Sequence, residues 1–223
     1  MNTIKALAAT ALLAISTQAA AVTYDISFTH STYQVQEGNS IDDLVAAHLA
    51  GSALTNQSLS GFDGIETTAF IAGNAYDHSI MMSTSFTLAE NTQYEFQVGA
   101  DWGRGGGVAI YNDDTNSLVS EQIFSNDIWW SKNWNNSDVI STNFEFSEGN
   151  WKVVWVGFEG CCSGSTSIRF AENGGEFSAL TAANFQQPHS AVVPIPGAAY
   201  FFASAIALLA TTARKKQPLP AKD

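Results

Sequence analysis

Short runs of apolar and β-branched residues, separated by clusters of Gly, Asn, Asp and Ser, follow one another through most of the chain. Such runs predict β-strands, because these residues fit a half-buried pleated surface and the clusters between them favour turns. The predicted strands are Val22–Phe28, Thr67–Ala72, Ser79–Leu88, Gln93–Ala100, Gly107–Asn112, Ser117–Phe124, Val139–Phe146, Asn150–Phe158 and Ser165–Phe170. Short strands with turn-length gaps predict an all-β fold, a single β-sandwich or jelly roll.

One short helix is predicted at Ile41–Ala50. Ser40 can cap its first turn, Asp43 stands three residues on, and Gly51 follows the last turn. We expect the β-sandwich domain to cover residues 22–178 and a linker to cover residues 179–193.

The N-terminal 21 residues have the pattern of a secretory signal peptide. Lys5 precedes the apolar run Ala6–Ile15, which is too short to span a bilayer, and Ala19-Ala20-Ala21 offers small residues to signal peptidase. The expected cleavage follows Ala21, so the remainder of the chain is predicted to be exported.

A second apolar segment, residues 197–213, predicts a membrane-spanning helix near the C-terminus. Arg214, Lys215 and Lys216 follow it directly, and Val193-Pro194-Ile195-Pro196 precedes it. Because positive charge favours the cytoplasmic side, the helix would anchor the protein in the inner membrane with its body facing outward.

Charge narrows the classes of partner. The chain carries a net charge of −12, and the part between the two terminal segments, residues 22–193, has four basic and 20 acidic residues, a net charge of −16. Phosphate binding needs a basic surface, so a nucleic acid is not an expected partner.

Both cysteines of the chain stand side by side in Gly160-Cys161-Cys162-Ser163-Gly164. In an oxidising compartment they can bond to each other, pair with another molecule, or stay free, whereas two sulfurs are too few for a zinc site. The preferred hypothesis is a vicinal disulfide between Cys161 and Cys162, with flanking glycines that tolerate an unusual backbone.

The proline motif, apolar helix and basic cluster of residues 194–223 resemble the PEP-CTERM sorting signal in its Val-Pro-x-Pro variant. Together with Cys161-Cys162 and the segments Ala100–Gly107 and Ile128–Trp130, they resemble the CCXG family of PEP-CTERM proteins. The resemblance implies sorting by an exosortase-type enzyme to the surface of a Gram-negative bacterium that makes extracellular polysaccharide. It implies no activity and no catalytic residues.

The tryptophans give the best candidate for a binding site. Trp151 and Trp155 share one strand face with Val153 and are predicted to lie in the core, whereas Trp129, Trp130 and Trp134 lie in a polar stretch typical of a loop. Aromatic rings among polar side chains are what a sugar-binding cleft uses, although buried indoles that pin the loop are an equal alternative. The predicted ligand-binding residues are Asp101, Trp102, Asp127, Trp129, Trp130 and Trp134.

Within the glycine run Gly103–Gly107, Gly105–Gly107 predict a tight turn or a close approach of two strands, and Asp101 and Arg104, which flank that turn, can pair. No metal or cofactor is predicted. Calcium is the one cation that Asp113, Asp114 and Asp127 suggest, but the full calcium-loop pattern is absent.

No catalytic motif is apparent, since the histidines at positions 30, 48, 78 and 189 are scattered without ligand spacing. The preferred hypothesis is a noncatalytic surface module that binds glycan or matrix material, with a structural role in the matrix left open. The alternative is a secreted polysaccharide hydrolase, with carboxylate pairs drawn from Glu121, Glu145, Glu148 and Glu159.

Overall fold

The computed structural model describes residues 22–72 and 76–185. The predicted signal peptide with Ala21 lies outside the described residues, as do the predicted anchor and its sorting motif, Val193, Pro194, Pro196, Arg214, Lys215 and Lys216. Within the described ranges, no helix has the length and apolar character needed to cross a membrane.

Within the described residues, twelve β-strands form two antiparallel sheets, each of six strands. The strands are β1 (Thr23–His30), β2 (Ser52–Ser58), β3 (Ile65–Glu66), β4 (His78–Leu88), β5 (Thr92–Trp102), β6 (Gly106–Asn112), β7 (Ser117–Phe124), β8 (Ile128–Trp129), β9 (Ile140–Phe146), β10 (Gly149–Glu159), β11 (Ser165–Glu172) and β12 (Ser178–Ala179). The first sheet has the order β2-β1-β4-β10-β6-β7. In the second, β11 and β5 are central, with β12 and β3 beside β11 and β8 and β9 beside β5.

The two sheets pack face to face around one hydrophobic core. Alternate residues of β5, from Phe96 to Trp102, point into it from the second sheet, and Trp151 and Trp155 of β10 point into it from the first. The predictions of an all-β sandwich and of a core position for Trp151 and Trp155 are therefore confirmed, because period-two alternation places these side chains on one face.

Helix α1 (Ile41–Leu49) begins at the predicted residue. The Ser40 side chain accepts a hydrogen bond from the Asp43 backbone N–H, and the Asp43 carboxylate accepts one from the Ser40 backbone N–H, which completes a capping box. The buried side chains Ile41 and Leu44 pack on a second apolar cluster, and the helix thereby covers part of the outer face of the first sheet.

Several segments differ from the sequence-based expectation, among them the two-residue strands β3, β8 and β12, which were not predicted. Thr67–Ala69 is a single 3₁₀ turn and not a strand, since the Thr67 backbone N–H and hydroxyl both donate to the carbonyl of Gly164. Strand β2 was not predicted, because its polar, mostly exposed residues show no alternation. The predicted linker starts too early, because Leu180 and Phe185 are buried in the core.

Candidate functional site

One row of side chains crosses the outer face of the second sheet. Strand pairing places four residues directly opposite one another on β3, β11, β5 and β8, namely Glu66, Ser165, Asp101 and Trp129. Directly opposite residues share a face, and here it is the outer one, because Ala100 and Trp102 on either side of Asp101 point into the core. With about 4.8 Å between neighbouring strands, the row is roughly 14 Å long.

The loop that follows β8 folds back over this face and is held there by Trp130. The Trp130 backbone N–H donates to the Ala100 carbonyl at 3.0 Å, and its indole, only 5% exposed, lies on Gly99. A Cβ at position 99 would lie 2.1 Å from Cε3 of Trp130, so the absence of a side chain there creates the space for the indole.

Trp134 is the second aromatic side chain that holds the loop after β8 on the sheet. Its ring meets that of Trp130 edge-on with 4.6 Å between centroids, and the Arg169 guanidinium lies 4.3 Å from its centroid. Arg169 is itself held from two further sides, by the Phe177 ring at 4.3 Å and by the Gln97 side-chain oxygen at 2.6 Å. Trp130 and Trp134 therefore pin the loop, as the structural alternative from the sequence proposed.

Trp129 has the opposite environment. Its indole is 59% exposed and borders a cavity of about 240 Å³. The residues that line this cavity are Asp101, Trp129, Trp130, Ser131, Lys132 and Ser165. We refer to it as the Trp129 cavity.

Asp101 is the carboxylate of the Trp129 cavity. Burial raises its pKa, and the negative charges of Glu159, Asp127 and Glu66 raise it further, while Lys132 opposes them. Lys132 Nζ lies 2.7 Å from Glu66 Oε1, so much of its charge is already compensated. The predicted pair of Asp101 with Arg104 is wrong, because the Arg104 guanidinium lies 2.6 Å from the Asp77 carboxylate.

The two cysteines lie at the adjacent corner, between β10 and β11. Cys161 and Cys162 are joined by a disulfide and are both exposed, which confirms the predicted vicinal pair. The buried Glu159 carboxylate accepts backbone N–H groups from Gly103 at 2.9 Å, Gly160 at 2.8 Å and Cys161 at 3.0 Å. It thereby joins the disulfide corner to the turn that follows Asp101 and β5.

Trp102 does not contact the cavity. It is 0% exposed, its ring packs close to Gly157 and Gly164, and its indole N–H donates to Thr166 Oγ1 at 2.7 Å. The prediction of Trp102 as a ligand-binding residue is therefore wrong, since the even positions of this part of β5 face the core. Trp102 instead packs in the core, on the inner face of the sheet whose outer face carries the cavity.

The glycine run at the end of β5 makes both predicted features. Gly105 has a φ of +85° in the turn between β5 and β6, and a Cβ on Gly106 would lie 2.5 Å from the Val156 carbonyl oxygen on the adjacent strand β10. The turn and the close approach of strands are both confirmed.

The acids considered for calcium do not form a common site in the described part of the chain. Asp114 accepts the backbone and side-chain amides of Asn150 at 2.9 and 2.6 Å, Asp113 lies 3.6 Å from Lys152 Nζ, and Asp127 is exposed before β8. Among residues 22–72 and 76–185, no group of three or more His, Cys, Asp or Glu residues is arranged to hold a metal ion.

Sequence reasoning missed four residues of this region: Glu66, Ser131, Lys132 and Ser165. Ser131 and Lys132 follow Trp130 directly, so their position in the chain was a usable signal. Glu66 and Ser165 come from distant segments, and only strand pairing brings them beside Asp101.

No protein-family model matches the sequence, and no curated protein matches it. Among solved structures, the PA14 sugar-binding domain of an RTX adhesin aligns at 13% identity and a TM-score of 0.45, over 74% of this chain and 97% of that chain. The PA14 domain of the MpAFP antifreeze protein aligns at 14% and 0.48, over 72% and 87%. The epithelial adhesin 9 A domain from Candida glabrata, solved with Galβ1-4GlcNAc, aligns at 9% and 0.45, over 72% and 90%. At such values no residue role is transferred to this chain.

Proposed function

We propose that this domain is a glycan-binding module and that the Trp129 cavity is its binding site, with no catalysis at that cavity. The observation that carries the proposal is an exposed indole fixed at the end of a row of polar side chains, Asp101, Ser165 and Glu66. A sugar ring has apolar faces that stack on an aromatic ring and equatorial hydroxyls that need oriented hydrogen-bond partners.

The site is preorganised, which favours binding. Trp130 in its Gly99 recess and Trp134 on Arg169 hold the loop on the sheet, so the Trp129 backbone is fixed before a ligand arrives. Loop ordering commonly consumes part of the free energy of association, and a pinned loop avoids that cost.

The charges favour a neutral or amino-substituted glycan over a uronate. Asp101 already faces the charges of Glu159 and Asp127, and Lys132 is engaged by Glu66. An added carboxylate would meet repulsion from Asp101 without an uncommitted cation in the cavity lining to offset it. The roughly 14 Å row is long enough for an oligosaccharide of more than one ring.

We further propose an extracellular address. The support is the sequence of the two ends: a signal peptide cut after Ala21, the motif Val193-Pro194-Ile195-Pro196 for an exosortase-type enzyme, and an anchor at residues 197–213 that holds the chain in the inner membrane during sorting. The Cys161–Cys162 disulfide fits this address, since disulfides persist in oxidising compartments.

Retention of the protein on the producer's extracellular polysaccharide tests the binding site. Trp129→Ala is expected to lower the retained fraction at least tenfold, because the stacking surface is lost. The matched control is Tyr76→Ala, which removes another exposed aromatic side chain. Unchanged retention of a folded Trp129→Ala variant contradicts the proposal.

The hydrolase alternative has its own test. The purified protein is incubated with the same polysaccharide, and reducing ends are counted. We expect no release above a buffer control, and time-dependent release that is lost on heating would contradict the noncatalytic assignment.

A further inference from the structure

A second depression lies on the opposite side of the molecule, on the outer face of the first sheet. It measures about 560 Å³ and runs between the C-terminal end of α1 and strands β1, β2 and β4. Ser27 of β1 lies in it directly opposite Asn56 of β2, with Met81 and Ser83 of β4 on its other side and His48 of α1 at its end. We call it the Ser27 groove.

Ser27 and His48 are in direct hydrogen-bond contact. Ser27 Oγ lies 2.8 Å from His48 Nε2, and the other ring nitrogen, Nδ1, lies 2.9 Å from Ser79 Oγ. Ser79 Oγ is 2.8 Å from Thr29 Oγ1, whose hydroxyl donates to the His48 backbone carbonyl at 2.8 Å. A hydroxyl, an imidazole and a group that orients the imidazole are thus arranged in series, as in serine nucleophile sites.

The last acceptor in this series of hydrogen bonds, the His48 carbonyl, determines which atom donates in each of them. The Thr29 hydroxyl must donate its proton to the His48 carbonyl, because a carbonyl only accepts, so Thr29 accepts from Ser79. Ser79 in turn accepts from His48 Nδ1–H. In a neutral imidazole Nε2 is then unprotonated, and it accepts the Ser27 hydroxyl proton.

The surroundings keep the ring neutral. His48 is 1% exposed, and burial lowers its pKa to about 4, so at neutral pH the lone pair of Nε2 is directed at the Ser27 hydroxyl. This is the protonation state that a general base needs before it accepts a proton.

We infer that Ser27 is a nucleophile activated by His48, and that the Ser27 groove accepts an O-acyl ester of a polyhydroxylated alcohol. The substrate class follows from the groove. Ser27 sits among hydrogen-bonding side chains that suit a polyol, including Asn56, Gln57 and Ser58, while Leu49, Ala53 and Met81 offer apolar contact to a short acyl chain. This site is separate from the Trp129 cavity and does not depend on the function proposed there.

The reaction balances with water as the only co-reactant. Ser27 Oγ bonds to the ester carbonyl carbon as its proton passes to His48 Nε2, and the alcohol leaves as the ester C–O bond breaks, taking that proton. Water then adds to the acyl-serine carbonyl, and its proton passes through Nε2 to Ser27 Oγ as the bond between the acyl carbon and Oγ breaks and the acid is released. Asn56 lies opposite Ser27 on β2 and lines the groove, and its side chain carries an amide N–H donor.

The orienting group limits the rate. Ser79 is neutral, so the imidazolium formed in each step lacks the carboxylate that stabilises it in Ser-His-Asp triads. We therefore expect covalent modification of Ser27 by reactive electrophiles to be readily measured and turnover of ordinary esters to be slow.

A fluorophosphonate probe tests the inference on the full chain. Intact mass is expected to show one adduct, which peptide mapping places on Ser27. Ser27→Ala should abolish it, and Ser85→Ala should not, since Ser85 is a half-buried serine of β4 that does not line the groove. His48→Gln is expected to slow labelling by about 10²- to 10⁴-fold, the usual contribution of a general base.

Three results would overturn it: no adduct on the folded protein, an adduct on another residue only, or Ser27 labelling at an undiminished rate in a folded His48→Gln protein. If His48→Gln does not fold, Ser79→Ala takes its place. That variant frees Nδ1 from its acceptor and should slow labelling at least tenfold, and an unchanged rate counts against the proposal.

Discussion

The two outer faces of the sandwich are covered by different structural elements, a helix on the first sheet and a loop on the second. On the first sheet, an amphipathic helix with a capping box packs on apolar residues and buries a hydrogen-bonded histidine, His48. On the second sheet, a polar loop is held by two aromatic side chains, Trp130 and Trp134. The helical cover depends on local hydrogen bonds and on the protonation state of one ring, and the loop cover depends on the shape of one recess.

The difference extends to the sites that each cover leaves open. Under the helix, polar atoms are buried in a fixed chain of donors and acceptors, which prepares a hydroxyl for reaction. Beside the loop, the exposed Trp129 indole and the row through Asp101 offer a surface to a ligand without a nucleophile and base in series. The two covers should therefore be disrupted by different changes.

Trp130→Ala is expected to have the largest effect. Removing an indole that is 5% exposed and seated on Gly99 should lower the free energy of unfolding by about 3–5 kcal/mol, the usual cost of truncating a buried tryptophan. Urea denaturation measures it. A loss of stability below about 1 kcal/mol would mean that the recess is not what holds the loop. Helix α1, which the substitution does not touch, is the internal reference for a correctly folded variant.

Acid is expected to weaken the helical cover next. The folded pKa of His48 is lowered to about 4 from its ordinary value of 6.5, so the unfolded chain binds the proton more tightly and stability falls as pH falls through this interval. The full effect is about 3 kcal/mol. The control is His48→Gln, which is expected to be less stable at neutral pH but to lack this part of the pH dependence. If the free energy of unfolding changed with pH in parallel for the two proteins from pH 6.5 to 4, the prediction would be refuted.

Local sequence explains why the helical cover was predicted outright, whereas the pinned loop was only one of two alternatives. Ser40 and Asp43 are three residues apart and directly indicate where α1 begins. The period-two alternation in β10 predicts that Trp151 and Trp155 are buried. Trp129 and Trp130 are neighbours in one polar stretch, and their opposite fates are decided by Gly99 in another strand. No pattern within the loop contains that information.

The Ser27 groove is unpredictable for the same reason. Ser27 and His48 are 21 residues apart, and His48 and Ser79 are 31 apart, so their contact requires the packing of α1 on β1 and β4. The edge strand β2 forms the groove's other side, and its polar residues form a strand only because β1 offers hydrogen-bond partners. In the sequence, His48 is one of four scattered histidines without a recognisable partner. Only the tertiary structure places it between Ser27 and Ser79.

Ser40→Ala is expected to cost about 1 kcal/mol, because the first turn of α1 loses its side-chain cap. Thermal unfolding measures the change, with Ser52→Ala on the exposed edge strand β2 as a matched serine control. A cost equal to that of the control would show that burial of Ile41 and Leu44, and not the cap, fixes the helix start.

Trp129→Ala is expected to have the smallest effect on stability, within about 0.5 kcal/mol of the wild-type protein, because its indole is 59% exposed and the loop is held by its neighbour. Set against the loss expected for Trp130→Ala, this result would separate two adjacent tryptophans into a structural and a binding residue. Urea denaturation of both variants under one set of conditions measures the contrast. A loss above about 2 kcal/mol for Trp129→Ala would mean that its indole helps to hold the loop, and any accompanying loss of glycan retention would then follow from a displaced loop and not from a missing stacking surface.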